Sequence, residues 1–182
     1  PLFALRKTVF RARKPSGAPT PNTKRYDDVY LISFPRSGNT WVSFMLANAI
    51  TEHLDLGLSV TFQTRKRFVP DIHVTRDIPE TLPFPPFPRI IKSHAVCNQQ
   101  YLQTLHLIRD PHDCLVSYYH FVRRFYGTDD TLAQFIRSER SGIHSWIRHT
   151  QGWCTGASPG QTITRFFYED FLEDPESELH RL

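Results

Sequence analysis

The sequence predicts an α/β protein of three layers, with a central parallel sheet between helices. From Val29 onward, short apolar segments rich in β-forming residues alternate with segments of helical character, which favours a parallel sheet. The first such pair, VYLISFPRSGNTW at residues 29–41, passes from a strand through a tight loop into a helix. A loop of this kind directs backbone N–H groups and a helix N-terminus at one point, which makes it an anion site.

The loop after the first strand is related to the Walker A pattern GxxxxGK[ST] but lacks its lysine. The second glycine of the pattern falls on Gly38 and its hydroxyl residue on Thr40, whereas Asn39 stands in the lysine position. A positive charge reappears inside the loop at Arg36. This layout predicts a P-loop NTPase-like fold whose loop holds a 5′-phosphate, with no lysine for a γ-phosphate. An ordinary strand-to-helix turn is the alternative.

The later elements continue the alternation of strands and helices. Residues 104–108 alternate as a strand does, and Asp110 with Pro111 is typical of an N-cap followed by proline at the first helical position. This pair predicts a helix to about Arg123. The other predicted elements are a helix over residues 39–52, strands near 89–91 and over 162–168, and helices over 128–138, 145–153 and 176–182.

The length of the chain predicts one domain, residues 27–182, behind a lead-in of residues 1–26. The lead-in is rich in proline, serine and basic residues, and we expect it to be poorly ordered. The segment LPFPPFPR, residues 82–89, is predicted to be an extended loop, because each proline removes a backbone donor.

Composition excludes several classes of protein. The net charge is +4, with its excess in residues 6–25, which we interpret as a solvated terminus rather than a nucleic-acid or lipid contact. No apolar run approaches the ~20 residues of a membrane span, and the N-terminal residues do not resemble a signal peptide. Cys97, Cys114 and Cys154 have neither metal-ligand spacing nor a disulfide pattern, so we expect a cytoplasmic protein.

Arg109 and Ser117 form a second candidate anion site. Arg109 ends the strand of residues 104–108, and open α/β sheets bind ligands at the carboxyl ends of their strands. Ser117 lies eight residues later, about two turns into the next helix. A guanidinium and a hydroxyl can together hold a phosphate. The alternatives are a surface ion pair for Arg109 and an ordinary helical serine at Ser117.

Four segments in this order resemble motifs of the sulfotransferases. They are FPRSGNTW at residues 34–41, similar to the 5′-phosphosulfate loop; IKSH at 91–94, similar to the segment of the catalytic histidine; LIRDPHDCLVSYYHF at 107–121, similar to the 3′-phosphate motif; and FFYEDF at 166–171, similar to the strand end whose tyrosine lies near the adenine. The spacing of Arg109 and Ser117 also matches the family.

The resemblance implies that the donor is 3′-phosphoadenosine 5′-phosphosulfate (PAPS) and that no metal is required. The implied 5′-phosphosulfate contacts are Arg36, Ser37, Gly38, Asn39 and Thr40; the 3′-phosphate contacts are Arg109 and Ser117; and the aromatic groups near the adenine are Trp41 and Tyr168.

His94, Lys92 and Arg36 are the implied catalytic residues. Histidine has an unperturbed pKa of about 6.5, which suits a base that accepts the proton of an acceptor hydroxyl or amine. Lys92 and Arg36 would neutralise charge on the transferring group and the leaving phosphate. The alternative for His94 is a local hydrogen bond to the backbone, and that for Trp41 and Tyr168 is packing in the core.

The chain departs from the family pattern in two places. Arg36 replaces the lysine of the cytosolic branch; it keeps the charge but is a poor proton donor. The family's late basic glycine loop, of R-K-G type, does not occur between Tyr168 and Leu182, so we expect the C-terminal part of the domain to be missing.

Two other functions stay open, a P-loop nucleotide kinase or hydrolase and a degenerate sulfotransferase that only binds nucleotide or glycan. The expected acceptor is a small molecule or a glycan, and no nucleic-acid partner is expected. The residues that would shape its pocket, 53–88 and 124–160, follow no pattern that identifies the acceptor, and the oligomeric state is not predicted.

Overall fold

A single parallel sheet organises the computed structural model, which describes residues 20–75, 77–79 and 87–182. Its strand order is β2-β1-β3-β4, and every neighbouring pair is parallel. The carboxyl ends of the four strands therefore meet at one edge. The strands are β1 Val29–Ser33, β2 Ile90–Ser93, β3 Gln103–Ile108 and β4 Thr162–Phe167.

Helices follow β1, β3 and β4, as the sequence predicts, but β2 runs into β3 through residues 94–102 without a helix, so the predicted alternation is interrupted there. The helices are α1 Asn39–His53, α2 Pro111–Phe125, α3 Leu132–Arg137, α4 Ile143–Thr155, α5 Tyr168–Glu173 and α6 Pro175–His180, with a 3₁₀ turn at Thr64–Arg67. The predicted helix over 128–138 begins late, because Thr131 forms a capping box with Gln134. The predicted strand over 162–168 ends one residue early, because Tyr168 opens helix α5. Neither α5 nor the 3₁₀ turn is predicted from the sequence.

The core lies on both faces of the sheet, which gives the predicted three layers. Leu31 packs with the apolar side of α1, including Val42 and Leu46. Its neighbours in β1, Tyr30 and Ile32, belong to the opposite cluster, which also contains Trp153 of α4. Because strand side chains alternate between faces, a strand buried on both sides reads as a continuous apolar run.

A buried ion pair fixes the chain before β1 and before β2. The guanidinium of Arg89 donates to both carboxylate oxygens of Asp28 at 2.7 Å, and each side chain is 1% exposed. The same guanidinium donates to the backbone carbonyls of Thr23 and Pro79. A contact with Thr23 therefore ties down part of the predicted lead-in.

Two predictions fall largely outside the described residues. Residues 1–19 of the lead-in are not described, and neither are residues 82–86 of the proline-rich loop. Among the residues that are described, no helix is both long and apolar enough to cross a membrane.

Candidate functional site

A cleft of about 870 Å³ lies at the carboxyl edge of the sheet, where open α/β folds bind their ligands. The β1–α1 loop, the ends of β2 and β3, and the start of α5 all contribute to it. Most of the site residues predicted from the sequence line this cleft: Arg36, Gly38, Asn39, Thr40, Trp41, Lys92, His94, Arg109 and Tyr168.

The β1–α1 loop has the backbone conformation of an anion site. Arg36 and Gly38 have φ values of 72° and 95°, both in the left-handed region, and successive turns of this kind point N–H groups into a concavity. Trp41 and Val42 both donate to the carbonyl of Gly38. The N–H groups before them, at the start of α1, have no intrahelical acceptor and present the positive end of the helix dipole.

Gly38 is needed for a second reason, which is the ring of Tyr168. A Cβ atom at position 38 would lie 2.3 Å from Cδ2 of Tyr168, far inside van der Waals contact. The Tyr168 ring also lies edge-to-face with Trp41, with centroids 5.5 Å apart. The two aromatic groups predicted near the adenine are therefore neighbours beside the loop.

Arg109 reaches the same place from the end of β3. Its Cζ lies 4.3 Å from the centroid of the Tyr168 ring, and its Nη1 donates to the carbonyl of Arg36 at 3.2 Å. Its pairing with Asp113 is long, at 3.4 Å, and that carboxylate is 66% exposed, so the pair is weak. Nε of Arg109 has no hydrogen-bond partner within the described part of the chain, which leaves capacity for an anion.

Arg36 and Ser117 contact each other. Nε of Arg36 donates to Oγ of Ser117 at 3.2 Å, and its Cζ lies 5.0 Å from the centroid of the Phe121 ring. The loop cation is thus held against α2, next to the residue predicted to bind the same donor. The donor contact of Ser117 itself stays a prediction.

The side chains of Ser37 and Asn39 shape the loop. Oγ of Ser37 is buried 3.1 Å from Sγ of Cys114. The amide of Asn39 donates to the carbonyls of Leu31 at 3.3 Å and Ser93 at 3.4 Å, which ties the ends of β1 and β2 together. The predicted role of both residues in donor binding stays a prediction.

The imidazole of His94 is held in its neutral form. Its Nδ1 lies 2.8 Å from the carbonyl oxygen of Ser33. Because a carbonyl can only accept, Nδ1 carries the proton and Nε2 keeps its lone pair. Burial, and then the charge of Lys92, lower the pKa of His94 to about 3. The ring is therefore unprotonated near neutral pH.

Lys92 is paired with Asp71, a residue that the sequence reasoning missed. Nζ lies 2.8 Å from Oδ2, with the two side chains 9% and 13% exposed. Burial alone would raise the pKa of Asp71, but the charge and hydrogen bond of Lys92 hold it below its usual range. The backbone also joins the pair, because Lys92 donates to Pro70 and accepts from Ile72.

His73 is the second missed residue. Its Nε2 accepts the backbone N–H of His94 at 2.8 Å, and the two rings stack with centroids 5.9 Å apart. A signal was present in PDIH, residues 70–73, because an aspartate side chain readily accepts a backbone N–H two residues on, and Oδ1 of Asp71 accepts the N–H of His73 in this way.

Residues 26–182 match the profile of the sulfotransferase domain family. The chain belongs to the sulfotransferase family. Among curated relatives, the chain is 30% identical over 172 residues to sulfotransferase 1A1 of Bos taurus and 31% identical over 176 residues to sulfotransferase 1A1 of Canis lupus familiaris. Each alignment covers 86% of this chain and 57% of the relative, so the chain spans little more than half the length of these relatives.

Solved structures confirm the fold of this chain. A retinol dehydratase in complex with androsterone and the inactive cofactor PAP has a TM-score of 0.56 at 20% identity, covering 87% of this chain and 59% of that one. A mouse sulfotransferase complexed with PAP has a TM-score of 0.54 at 19% identity, covering 87% and 57%. A putative steroid sulphotransferase of Arabidopsis thaliana has a TM-score of 0.56 at 18% identity, covering 98% and 64%.

Proposed function

We propose that this sulfotransferase transfers a sulfuryl group from PAPS to a hydroxyl or amine of a small-molecule acceptor. The observation that carries the proposal is the position of His94. His94 and the paired Lys92 line the same cleft as the β1–α1 loop, and the bond from Nδ1 of His94 to Ser33 leaves Nε2 as the basic atom. A base, an anion site and a paired cation in one cleft are the groups that sulfuryl transfer requires.

The cleft residues fit a nucleotide with two anionic ends. The loop and the N-terminus of α1 would hold the 5′-phosphosulfate. Arg109, with its spare donor capacity, would hold the 3′-phosphate together with Ser117. Trp41 and Tyr168 would contact the adenine. The retinol dehydratase and the mouse enzyme were both solved with PAP. PAP, 3′-phosphoadenosine 5′-phosphate, is the nucleotide that remains when PAPS has lost its sulfuryl group, so these complexes support PAPS as the donor. Within the described residues no group of His, Cys, Asp and Glu is placed to hold a metal ion.

His94 would begin the reaction by accepting the proton of the acceptor at Nε2. The acceptor oxygen or nitrogen then forms its bond to sulfur as the bond from sulfur to the bridging phosphate oxygen breaks. Lys92 and Arg36 neutralise the negative charge that develops on the leaving phosphate. A pKa of about 3 keeps His94 neutral before the donor arrives, and a bound anionic donor would raise that pKa toward the range useful for a base.

The acceptor is proposed to be a small molecule rather than a glycan. Solved relatives include a retinol dehydratase bound to androsterone or to retinol. A second, smaller cleft of about 180 Å³ also opens on His94, with Tyr118 and Phe34 in its lining. The site thus has apolar surface next to the base. We further propose a cytoplasmic location, which the three free cysteines support.

The substitution His94→Ala tests the proposal. Transfer from labelled PAPS should fall by at least about a hundredfold, the usual contribution of a general base, while binding of PAP by calorimetry stays near its original value. His112→Ala is the control, because that histidine is exposed at the start of α2. Full transfer activity in His94→Ala would remove His94 from the mechanism.

Neither alternative function has comparable support. A kinase or hydrolase of this fold needs a lysine in the position of Asn39, whose amide is already bound to two backbone carbonyls. A domain that only binds nucleotide has no use for a buried Lys92–Asp71 pair beside a neutral histidine. Magnesium-dependent ATP turnover would favour the first alternative, and PAP binding without transfer to any acceptor would favour the second.

A further inference from the structure

Arg65 is a buried cation without a conventional partner. It lies in the 3₁₀ turn, it is 3% exposed, and it belongs to the lining of the large cleft. Its Nε and Nη1 are enclosed and have no hydrogen-bond partner in the described residues. A guanidinium stays charged at any accessible pH and has five donors to satisfy, so two enclosed donors without partners need an explanation.

Aromatic faces supply only part of that explanation. Cζ of Arg65 lies 4.8 Å from the centroid of the Phe62 ring and 5.5 Å from that of Phe44. Such contacts stabilise a cation, but they recover only part of the free energy lost when an ion leaves water. They also supply no hydrogen-bond acceptor for Nε and Nη1.

No carboxylate of the cleft is available to Arg65. Asp71 is the one acidic residue among the described residues that line the cleft, and it is already paired with Lys92 at 2.8 Å. Burial lowers the pKa of Arg65 and the charge of Asp71 opposes that shift only in part. Lys66 of the same turn also lines the cleft. The part of the cleft lined by Arg65 and Lys66 is therefore positively charged, and its described residues offer no unpaired carboxylate.

The fold places Arg65 away from the site proposed for the 3′-phosphate. Residues 70–72, a few positions after the 3₁₀ turn, pair with the outer side of β2. Arg109 ends β3, which lies on the other side of β1 in the order β2-β1-β3-β4. Arg65 thus belongs to the side of the cleft that carries Lys92 and His94, where the acceptor would react.

We propose that Arg65 binds an oxyanion of the acceptor, so that the acceptor carries a carboxylate or similar group besides the hydroxyl or amine that receives the sulfuryl group. This inference rests on the proposed function, because it assigns the acceptor class of the same cleft. A guanidinium would also bind the phosphosulfate of the donor, and the experiment distinguishes an acceptor oxyanion from a donor oxyanion.

The test compares two matched phenols, 4-hydroxyphenylacetate and its uncharged amide, by equilibrium dialysis against the chain saturated with PAP. The acid should bind at least about tenfold more tightly than the amide, since a charge-assisted bidentate contact is worth about that factor or more. Arg65→Gln should abolish this preference and leave the affinity for the amide unchanged. Arg65→Lys, which keeps the charge but not the fork, should retain an intermediate preference.

Arg67→Gln is the matched control. It removes the same charge from the same 3₁₀ turn, but Arg67 is exposed and does not belong to the cleft lining, so the preference should survive. The unfolding midpoint of each variant is measured alongside, and Arg65→Lys carries the comparison if Arg65→Gln does not fold.

Three results would overturn the assignment. One is equal binding of acid and amide by the original chain, and another is an unchanged preference in Arg65→Gln. The third is a tenfold or greater loss of affinity for PAP in Arg65→Gln, which would give the anion to the donor. The proposed function fails separately. A chain that prefers the acid but transfers nothing from PAPS to any acceptor would contradict transfer and keep the Arg65 assignment.

Discussion

Arg109 shows how a single residue serves two structural purposes. Its Nη1 holds the carbonyl of Arg36 and its Cζ lies over the ring of Tyr168, so it positions the loop and the start of α5. Its Nε stays available, and the bond to the exposed Asp113 is easily exchanged for a better anion. The protein contacts of Arg109 thus leave some of its hydrogen-bond donors for the proposed phosphate.

Arg109→Ala should weaken PAP far more than AMP, because only PAP carries the 3′-phosphate. A charge-assisted hydrogen bond contributes about 1.5–3 kcal/mol, which corresponds to roughly a ten- to hundredfold loss for PAP by calorimetry. Arg124→Ala is the control, since that arginine is exposed on α2, does not belong to the cleft lining and lies over the ring of Phe125. Equal losses for PAP and AMP would refute the 3′-phosphate assignment.

Residues at strand ends were predictable, and residues between elements were not. Arg109 and His94 follow short apolar runs, and parallel strands collect their carboxyl ends at one edge. Asp71, His73 and Arg65 lie in a stretch with neither strand nor helix periodicity. Asp71 meets Lys92 across 21 positions, a contact that only the folded chain determines.

At the scale of elements, residues 70–73 lie along the outer side of β2 and extend its hydrogen bonding. They hold the Lys92 side chain through Asp71 and the His94 backbone through His73. An isolated parallel β-bridge between Asp71 and Lys92 aligns this segment with β2, so that both contacts can form. A segment without regular structure therefore orients the two residues proposed to act on the transferring group.

Asp71→Asn should destabilise the protein by about 3 kcal/mol, because removing one partner leaves the other charge buried and unpaired. Urea unfolding would measure the change. Adding Lys92→Met to this variant should restore part of the stability, since the unpaired charge is gone. Asp129→Asn, at an exposed position, should change stability by less than about 0.5 kcal/mol. A loss no larger than this control would mean that the pair contributes little.

The elements that the sequence predicts are those with strong local signals. Asp110 and Pro111 define the start of α2, and Asp174 and Pro175 define that of α6. Helix α5 has only six residues and begins where FFYEDF still resembles a strand. It is held by burial of Phe171 against Phe166, so tertiary packing rather than local propensity decides its structure.

At the scale of the whole molecule, three histidines are held in neutral form, of which His106 and His149 are buried and His94 is half-buried. Burial is the main cause in each case, and it lowers the pKa of His94 and His106 to about 3 and that of His149 to about 4. In the unfolded chain the same side chains titrate near 6.5. Between pH 6.5 and 4 the unfolded state therefore binds more protons than the folded state.

We expect stability to fall as the pH decreases through this window. Each histidine contributes up to about 1.4 kcal/mol per pH unit, and thermal unfolding between pH 7 and 4.5 would measure the sum. His106→Gln should make the dependence shallower, because one of the three groups is removed. His112→Gln, at an exposed position, is the matched control for the substitution itself. A melting temperature that stays constant over this range would contradict the assignment.

The adjacency of β1 and β3 has a consequence for which nucleotides the cleft can accept. The anion loop follows β1 and Arg109 ends β3, and these neighbouring strands are held in register from Val29 and Gln103 to Ser33 and Leu107. Backbone hydrogen bonds fix such strands about 4.8 Å apart. The sheet therefore sets the distance between the two proposed anion sites. Because the backbone sets this spacing, we expect the cleft to discriminate against nucleotides whose second phosphate is at another ribose position. Substitution of side chains should not change the spacing.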